Sequence, residues 1–461
     1  MKYDIVIVGG GPGGYVAAIY AARQKVKVAL IEQAELGGTC LNWGCIPTKA
    51  LLHSASLFQA IKSADKFGIV AEKVAIDWAK MQNHKATVVK NLIGGVTGLL
   101  RANGVDVING RGSLVGNHEI AIADGQRESL LEADNIILAT GSQPVHVPIP
   151  GSDLAGVVTS KEALSFPTLP KSMAIIGGGV IGIELGFLYN TLGCKVTIVE
   201  MLEEILPRQD LEIVKCVRNF LEKQGIAIRT AASARDIEQT AAGLQLTYTM
   251  NGETDCITVE KVLMAVGRRP DFSAVGQMPL LMTKTGLVVD DYLRTSIPNI
   301  FAIGDVTGKS MLAHVASHQG ITAVQNALGL SVKMDYSVIP SCIYTQPEVA
   351  CVGLTEEEAR DRFGDNMRVA RFPFAASGKA LAMGESEGFV KIVSEGRYNE
   401  ILGVHIVGPH ATELIAECAT AIKLECTVDE LAQTIHAHPT LSEAVMETAA
   451  VLLGHPIHVL A

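Results

Sequence analysis

A glycine-rich turn between an apolar strand and a helix occurs twice in this 461-residue chain. In the first copy, a β-branched run at residues 4–8 leads into the glycine cluster 9–14, a helical pattern follows, and a second apolar run ends at Glu32. This order of strand, G-x-G-x-x-G turn, helix, strand and acid is the signature of a dinucleotide-binding βαβ unit. It predicts an α/β fold with a Rossmann-like parallel sheet.

The positions of the turn have separate physical tasks. Gly9 makes the tight turn, Gly11 lets the backbone approach a pyrophosphate, and Gly14 lets the helix pack against its strand. Unpaired N–H groups at the helix N-terminus bind the phosphates. Glu32 is placed to accept hydrogen bonds from ribose hydroxyls.

The second copy repeats this plan over residues 173–200. Its acid, Glu200, stands 23 residues after the first glycine, which is the offset found in the first copy. The closing segments 136–144 and 262–270 of the two copies also correspond. The glycines with the three tasks described above are Gly177, Gly179 and Gly182. Candidate nucleotide contacts in the closing segments are Thr140, Gly141 and Gly267.

Two dinucleotide modules in one chain imply two cofactors that exchange electrons. The simplest such pair is a tightly held FAD with a diffusible nicotinamide nucleotide. A carboxylate at Glu200 repels the 2′-phosphate of NADP, and the nearest following arginine is the distant Arg208, so the second module favours NAD. A third apolar segment, 299–303, leads to Asp305. An acid at that edge suits ribitol or phosphate-side groups, with a helix or turn cap as the alternative.

Cys40 and Cys45 are the only two of the nine cysteines that lie close together in the sequence. Pro47 suits the first turn of a helix, which places Cys45 near a helix N-terminus, where the dipole and free amides stabilise a thiolate. Beside a flavin module the pair predicts a redox-active disulfide; two buried thiols or half a metal site are the alternatives. The other seven cysteines lack zinc-like spacing and are interpreted as small core residues.

Near the C-terminus, residues 436–443 contain two histidines and an acid. A thiol–disulfide enzyme needs a base that moves a proton to and from sulfur. His438 precedes a proline that restricts its backbone, and Glu443 is near enough to orient the ring and raise its basicity. Thr440 and Glu443 also have the spacing of a capping box for the last helix, which is the alternative role of Glu443. We assign the base to His438. His436 is the rival, with a structural role as its other interpretation.

The composition excludes several other classes. Hydrophobic residues make up 48% and charged residues 19%, which excludes a disordered chain. The chain has 38 basic and 48 acidic side chains, and the basic ones are not clustered in the sequence. This distribution argues against a nucleic-acid partner. The apolar window 172–192 contains five glycines and Glu184, so it predicts a buried strand and helix and no membrane insertion. No export segment is visible, which favours a cytoplasmic location.

These motifs resemble those of the pyridine nucleotide–disulfide oxidoreductases, and within them the members that oxidise dihydrolipoamide. The resemblance covers essentially the whole chain and rests on GGGPGGYVAA, GGTCLNWGCIPTKALLH, ILATGSQP, IGGGVIGIELG, AVGRRP, IFAIGDV and HAHPTLSEA. It implies two Rossmann-like domains and a C-terminal α+β dimerisation domain. The implied ranges are an FAD domain (1–147), an NAD domain (148–275), a central segment completing the FAD domain (276–339) and the dimerisation domain (340–461).

The resemblance also implies roles for the catalytic residues. Cys45 is implied as the sulfur that exchanges electrons with the flavin, and Cys40 as the sulfur that forms a mixed disulfide with the dithiol substrate. His438, oriented by Glu443, is implied as the acid–base group, supplied by the other subunit of a homodimer. The implied reaction reduces NAD with dihydrolipoamide carried by the lipoyl domain of an acyltransferase or by a glycine cleavage carrier protein.

Around the cofactors, the resemblance implies that Lys49 and Glu184 pair near the flavin ring and that Asp305 binds the FAD ribitol. Further implied FAD contacts are Ala313 and Gly112. One residue departs from the family pattern: Trp43, inside the cysteine loop, is bulkier than the valine that is common there. It is either a local packing variant or a sign of a reshaped approach to the disulfide.

Three other functions share this fold. A glutathione-reductase-like enzyme uses NADP and should carry arginines after the second acid. A mercuric reductase is disfavoured because the last cysteine is Cys426, so a C-terminal cysteine pair is absent. A non-catalytic, FAD-bound interaction subunit has no need to retain Cys40, Cys45 and His438 together.

Overall fold

The computed structural model describes residues 2–125 and 127–460, so the outermost residues of the proposed first and last domains, 1 and 461, lie outside it. The strands are β1 (Lys2–Val8), β2 (Val28–Glu32), β3 (Asp106–Asn109), β4 (Arg111–Gly116), β5 (Glu119–Asp124), β6 (Arg127–Leu138), β7 (Ser142–Pro144), β8 (Val157–Val158), β9 (Ser172–Ile176), β10 (Lys195–Val199), β11 (Ala227–Arg229), β12 (Ala232–Thr240), β13 (Gly243–Met250), β14 (Glu253–Val259), β15 (Lys261–Met264), β16 (Arg268–Pro270), β17 (Ile300–Ala302), β18 (Ser341–Ile343), β19 (Glu348–Gly353), β20 (Met367–Pro373), β21 (Phe389–Glu395) and β22 (Ile401–Gly408).

The helices are α1 (Pro12–Arg23), α2 (Gly38–Trp43), α3 (Cys45–Lys62), α4 (Trp78–Ala102), α5 (Ser160–Ala163), α6 (Val180–Thr191), α7 (Leu211–Lys223), α8 (Ala313–Ala327), α9 (Glu356–Phe363), α10 (Gly378–Met383), α11 (Ala411–Lys423), α12 (Val428–Gln433) and α13 (Glu443–Leu452). Short 3₁₀ turns cover Ala64–Phe67, Gly304–Thr307 and Phe374–Ala376. In the described ranges, no helix is both long and apolar enough to cross a bilayer.

The first sheet is built around β1, which is parallel to β2 on one side and to β6 on the other. Its order is β3–β2–β1–β6, and β17 pairs in parallel with the carboxyl half of β6. The amino half of β6 forms an antiparallel meander with β4 and β5. Because β17 follows the second module in the chain, the chain returns to the first sheet after completing the second.

The second sheet repeats this plan in the parallel order β11–β10–β9–β15–β8. A separate antiparallel meander, β12–β13–β14, precedes its closing strand β15. The apolar window 172–192 forms β9 and α6, as predicted, with Glu184 inside the helix. Buried parallel strands of this kind carry continuous apolar runs, which is the pattern that identified them in the sequence.

The C-terminal part forms a five-stranded antiparallel sheet in the order β18–β19–β22–β21–β20. Helix α11 packs on β19 and β22, and α13 packs on β20 and β21. The helices α11–α13 follow the last strand, and the two short helices α9 and α10 lie between strands. This part is therefore α+β, as the resemblance implied. Separate apolar cores lie around β1, around β9 with α6, and under α11–α13. The predicted fold class is confirmed.

Candidate functional site

A cavity of about 1650 Å³ lies where the two nucleotide modules and the C-terminal sheet meet. Both glycine turns and both cysteines of the predicted redox pair line it. The predicted residues on its wall are Gly9, Gly11, Glu32, Cys40, Cys45, Lys49, Gly112, Thr140, Gly141, Gly177, Gly179, Glu184, Glu200, Gly267, Asp305 and Ala313. Gly14 and Gly182 are packed beneath the turns, whereas His438 and Glu443 lie outside the wall.

The packing of the glycine turns shows that dinucleotides fit them. A Cβ atom at Gly14 would collide with the carbonyl oxygen of Gly9, whereas one at Gly11 would meet no protein atom within 4 Å. The second turn repeats these relations at Gly177, Gly179 and Gly182. Helices α1 and α6 begin directly after Gly11 and Gly179, and neither helix has a side-chain cap at its start. Their N-terminal N–H groups are therefore available to phosphate oxygens.

Glu32 and Glu200 hold these turns in place. Glu32 accepts hydrogen bonds of 2.6 and 2.8 Å from the backbone N–H groups of Gly10 and Ala34. Glu200 accepts the equivalent pair in the second module, also at 2.6 and 2.8 Å. An ionised carboxylate has about four acceptor positions, so each acid keeps capacity for ribose hydroxyls. Arg208, which the sequence placed far from this site, also lines the cavity. The distance of Arg208 therefore no longer argues against NADP, and the prediction of NAD rests on the carboxylate of Glu200.

Asp305 belongs to a hydrogen-bonded network that reaches the cysteine loop. The Ser142 hydroxyl donates to Asp305 Oδ2 at 2.5 Å and accepts from Arg268 Nε at 2.7 Å. Burial raises the pKa of Asp305, although Ser142 and Arg268 act in the opposite direction. Arg268 Nη2 also donates to Thr39 Oγ1 at 3.3 Å. Arg268 therefore connects the segment beside Cys40 to the acid proposed to bind ribitol.

The sequence reasoning did not identify Arg268 as a site residue. The internal repeat contained a usable signal, because Ser142 and Arg268 hold equivalent positions in the closing segments 136–144 and 262–270. In the structure these positions lie on β7 and β16, which pair in antiparallel orientation. A polar residue shortly after a closing strand lies near the carboxyl edge of the sheet, where ligands bind. Arg268 and Ser142 meet both conditions.

The other predicted cofactor contacts differ in their surroundings. The Thr140 hydroxyl donates to a backbone carbonyl at 2.5 Å, so it holds the loop. A Cβ at Gly141 or Gly267 would meet nothing within 4 Å, which leaves room for a ligand. Gly112 is tightly packed, because its Cβ would lie 3.0 Å from a side chain of β1. Ala313 begins α8, whose start has no side-chain cap.

Cys40 lies in α2, and Cys45 is the first residue of α3. The thiols of Cys40 and Cys45 lie close enough to share a hydrogen bond. The hydrogen bond from Cys40, assisted by Lys49, lowers the pKa of Cys45 to about 7. The same hydrogen bond and burial raise the pKa of Cys40. Above neutral pH, Cys45 is therefore the thiolate and Cys40 the protonated thiol.

The interpretation of the remaining cysteines as core residues needs correction. Cys194, Cys351 and Cys418 are buried, as expected. Cys256 is exposed on β14, because that face of the short meander is open to solvent. Cys342 lies on the cavity wall, where burial raises the pKa of its thiol to about 11.

Lys49 and Glu184 form an ion pair beside the cysteines. Lys49 Nζ lies 3.0 and 2.9 Å from the two carboxylate oxygens of Glu184, whose side chain is buried. The backbone N–H of Tyr344 donates to the same carboxylate at 3.0 Å, and its ring centroid lies 4.3 Å from Lys49 Nζ. Tyr344, which the sequence did not suggest, thus brings the C-terminal domain to the cavity.

Because Lys49 favours the thiolate, we expect Lys49→Met to raise the pKa of Cys45. In the reduced protein freed of FAD, iodoacetamide should alkylate Cys45 with a rate that rises through pH about 7, since only the thiolate reacts. In Lys49→Met the rise should occur at higher pH. Mass spectrometry of the Cys45 peptide measures the reaction. Lys62→Met, at the end of the same helix, is the control, and coincident profiles for Lys49→Met and the natural chain would contradict the role.

The structure distinguishes the two histidines. Both ring nitrogens of His436 are engaged, with Glu417 at 2.7 Å and the Thr434 carbonyl at 2.8 Å. His438 is different: its Nδ1 lies 2.9 Å from Glu443, its side chain is 79% exposed, and its Nε2 has no partner among the described residues. Only His438 has a nitrogen available to a substrate. Within one chain, however, it does not line the cavity.

Trp43 is engaged within the cysteine loop. Its Nε1 donates to Thr39 Oγ1 at 3.3 Å, and Lys161 Nζ lies 4.5 Å from its ring centroid. These contacts support the interpretation as a packing variant. Because Trp43 also lines the cavity, its effect on substrate breadth stays a prediction.

Comparison with known proteins gives consistent results along the whole chain. Residues 3–320 match the family model described as pyridine nucleotide-disulphide oxidoreductase, and residues 339–449 match the dimerisation domain of the same family. Proteins named dihydrolipoyl dehydrogenase from Chlamydia pneumoniae, Geobacillus stearothermophilus and Thermus scotoductus are 44%, 43% and 43% identical to this chain. These alignments cover at least 99% of this chain and at least 98% of each relative.

A solved structure agrees with these matches. The HOCl-induced flavoprotein disulfide reductase RclA from Escherichia coli, solved as a Cu(II) complex, superposes with a TM-score of 0.88 at 28% identity. The superposition covers 98% of this chain and 100% of that one. The predicted resemblance is confirmed, and the chain belongs to the pyridine nucleotide-disulphide oxidoreductase family.

Proposed function

We propose that this chain is an enzyme that oxidises the dihydrolipoyl group of a lipoyl-bearing protein, with FAD as bound cofactor and NAD as final acceptor. One observation carries the proposal: both dinucleotide turns and the cysteine pair line a single cavity. The relatives with 43–44% identity are named for this activity, and the family uses both cofactors.

The two cofactors have separate sets of residues. The first turn with Glu32, Lys49 and Asp305 would hold FAD, and the second turn with Glu200 would hold NAD. When bound, FAD supplies an acceptor for the two electrons of the cysteine pair, and NAD receives them as a hydride. The protein's own task is to bind both near the cysteines and to keep the dithiol substrate apart from the nicotinamide.

The unequal thiols define how the disulfide reacts. A substrate thiolate bonds to Cys40 Sγ, the sulfur–sulfur bond breaks, and Cys45 leaves as a thiolate. A thiol with a lower pKa leaves faster, and the pKa of Cys45 is lowered to about 7. The second substrate sulfur then displaces Cys40, so the substrate becomes a disulfide and the enzyme holds a dithiol. Attack at Cys45 would expel the poorer leaving group, Cys40.

Each thiolate attack requires removal of a proton from the substrate. His438 supplies a base, because its Nδ1 faces Glu443 and its Nε2 is left to accept the proton. Burial raises the pKa of Glu443, but hydrogen bonds from Thr440 and His438 outweigh it and lower that pKa. Glu443 therefore stays ionised and stabilises the charged ring. Since His438 lies outside the cavity of its own chain, we assign it to the site of the partner subunit.

The dimerisation domain is shown by its family match, and it supports a homodimer. We propose the lipoyl domain of an acyltransferase, or a glycine cleavage carrier protein, as the dithiol partner. We also propose the domain division 1–147, 148–275, 276–339 and 340–461. The return of β17 to the first sheet supports the third of these segments.

A substrate comparison on the purified holoenzyme tests the function. We expect NAD reduction with dihydrolipoamide, and lipoamide reduction with NADH in the reverse direction. NADP and NADPH should support at most about 1% of these rates, because placing a 2′-phosphate beside the carboxylate of Glu200 costs several kcal/mol. Oxidised glutathione should be a poor substitute for lipoamide. Preference for NADPH with oxidised glutathione would favour the glutathione-reductase-like alternative. Absence of turnover with every pair would favour the non-catalytic subunit.

A further inference from the structure

Lys391 lies at the centre of a partly buried charge cluster between the second nucleotide module and the C-terminal domain. Its side chain is 1% exposed, and its Nζ lies 2.8–2.9 Å from the carboxylates of Asp210, Glu212 and Glu356. Arg371 extends the cluster with contacts of 2.6 Å to Glu212 and 3.1 Å to Glu356. None of these groups takes part in the reaction proposed above.

The cluster joins two parts of the fold through one carboxylate. Asp210 caps α7 by accepting a 3.1 Å hydrogen bond from the N–H of Glu212. Both of its oxygens also accept from Lys391, on β21, at 2.9 Å. The N–H of Glu356, the first residue of α9, donates to Asp210 Oδ2 at 3.2 Å. The C-terminal domain therefore holds the start of α7 directly.

Burial makes this attachment sensitive to any loss of charge. Burial by itself lowers the pKa of Lys391, but its hydrogen bonds to the three carboxylates raise that pKa above its ordinary value. The lysine is therefore charged at all working pH values. Removing one partner from a buried ion pair leaves an uncompensated charge in a medium that solvates it poorly. Without Lys391, Asp210 would have to move or bind water.

Asp210 ends the loop 201–209, which begins after Glu200 and lines the second module's part of the cavity. The N–H of Leu206 donates to the carbonyl of Gly178 at 3.0 Å. A Cβ at Gly178 would lie 2.9 Å from a side chain of this loop. The loop thus lies directly on the second glycine turn, with Glu200 fixing one end and Asp210 the other.

We propose that Lys391 is a positioning residue for the nicotinamide nucleotide. From the C-terminal domain it fixes Asp210, and through Asp210 it holds the loop 201–209 against the adenosine half of the nucleotide. The acid that ends the second strand of such a module binds the adenosine ribose, and the loop follows that acid, Glu200. The inference rests on the NAD site proposed above. Its consequence is that nucleotide affinity depends on the packing of the C-terminal domain.

Lys391→Met in the holoenzyme tests this inference. We expect the KM for NAD to rise about tenfold, within the usual range for coupling between separate sites, while kcat and the KM for dihydrolipoamide stay within about twofold. The dissociation constants of NAD and of AMP, measured by calorimetric titration, should rise by a similar factor. AMP contains only the adenosine half, so it reports on the loop without any turnover.

Two further variants complete the test. Lys423→Met removes an exposed lysine that pairs with Asp335, and it should leave all constants at their natural values. Asp210→Asn keeps a residue suited to the helix cap but removes the charge facing Lys391. It should raise both dissociation constants about fivefold, the lower end of the range for coupling between separate sites, and it replaces Lys391→Met if that variant does not fold.

Unchanged NAD and AMP affinities in a folded, FAD-saturated variant would overturn the inference. Parallel losses of FAD, kcat and both affinities would overturn it too, because they would show a general role in stability. If the natural holoenzyme bound neither NAD nor AMP, the nucleotide site itself would be refuted, and the inference with it.

Discussion

Replacing Cys45 with serine is expected to lower dihydrolipoamide-dependent NADH production by more than about 10³-fold, as removal of a catalytic nucleophile does in other enzymes. A serine at position 45 cannot form the disulfide that accepts the substrate's electrons. It also cannot act as the low-pKa leaving group, a property that depends on the pKa of about 7 at this thiol. Steady-state assays at saturating NAD and dihydrolipoamide measure the loss.

Two controls show whether that loss is specific. The FAD content of Cys45→Ser and its reduction of ferricyanide by NADH should stay close to natural values, because neither requires the cysteine pair. Cys256→Ser, which changes an exposed cysteine on β14, should leave dihydrolipoamide oxidation intact. Normal NADH production by Cys45→Ser would refute the proposed route of electrons through this sulfur.

Features with local causes were predictable from the sequence. The glycine turns, their acids and the flanking strands obey constraints that act within about 30 residues. The start of α3 at Cys45 follows from Pro47 and from the glycine before the cysteine, so the position of the acidic thiol follows from neighbouring residues alone. The same reasoning correctly identified the apolar window at 172–192 as strand and helix.

Contacts between distant segments could not be found in this way. Lys49 and Glu184 are 135 positions apart, and only the family resemblance suggested that they pair. Arg268 and Tyr344 meet their partners because separate sheets converge at one cavity. Lys391 meets Asp210, 181 positions away, because the C-terminal sheet packs against the start of α7. No periodicity of the sequence encodes that convergence. Spacing alone also could not separate His436 from His438, since the distinction lies in which ring nitrogens are already engaged.

Mixed dimers should show that His438 acts across the subunit boundary. We expect Cys45→Ser and His438→Gln homodimers each to lose most of their activity, because each lacks one component of both sites. When equal amounts are unfolded and refolded together, half of the dimers become mixed by statistics. In a mixed dimer, one site combines both intact components and the other combines both changes. A two-fold symmetric dimer should then recover about one quarter of the natural activity.

The same mixture distinguishes this arrangement from a site within one chain. If Cys45 and His438 acted in the same chain, every site of a mixed dimer would still carry one change, and mixing would restore nothing. His436→Gln provides the matched control, because that ring is already bound to Glu417 and Thr434. Paired with Cys45→Ser, it should give about half of the natural activity, since it leaves its own homodimers active and adds one intact site to each mixed dimer. Recovery of activity in the first mixture would mean that His438 serves the site of the other subunit. It would thereby explain why the side chain of His438 is 79% exposed in a single chain.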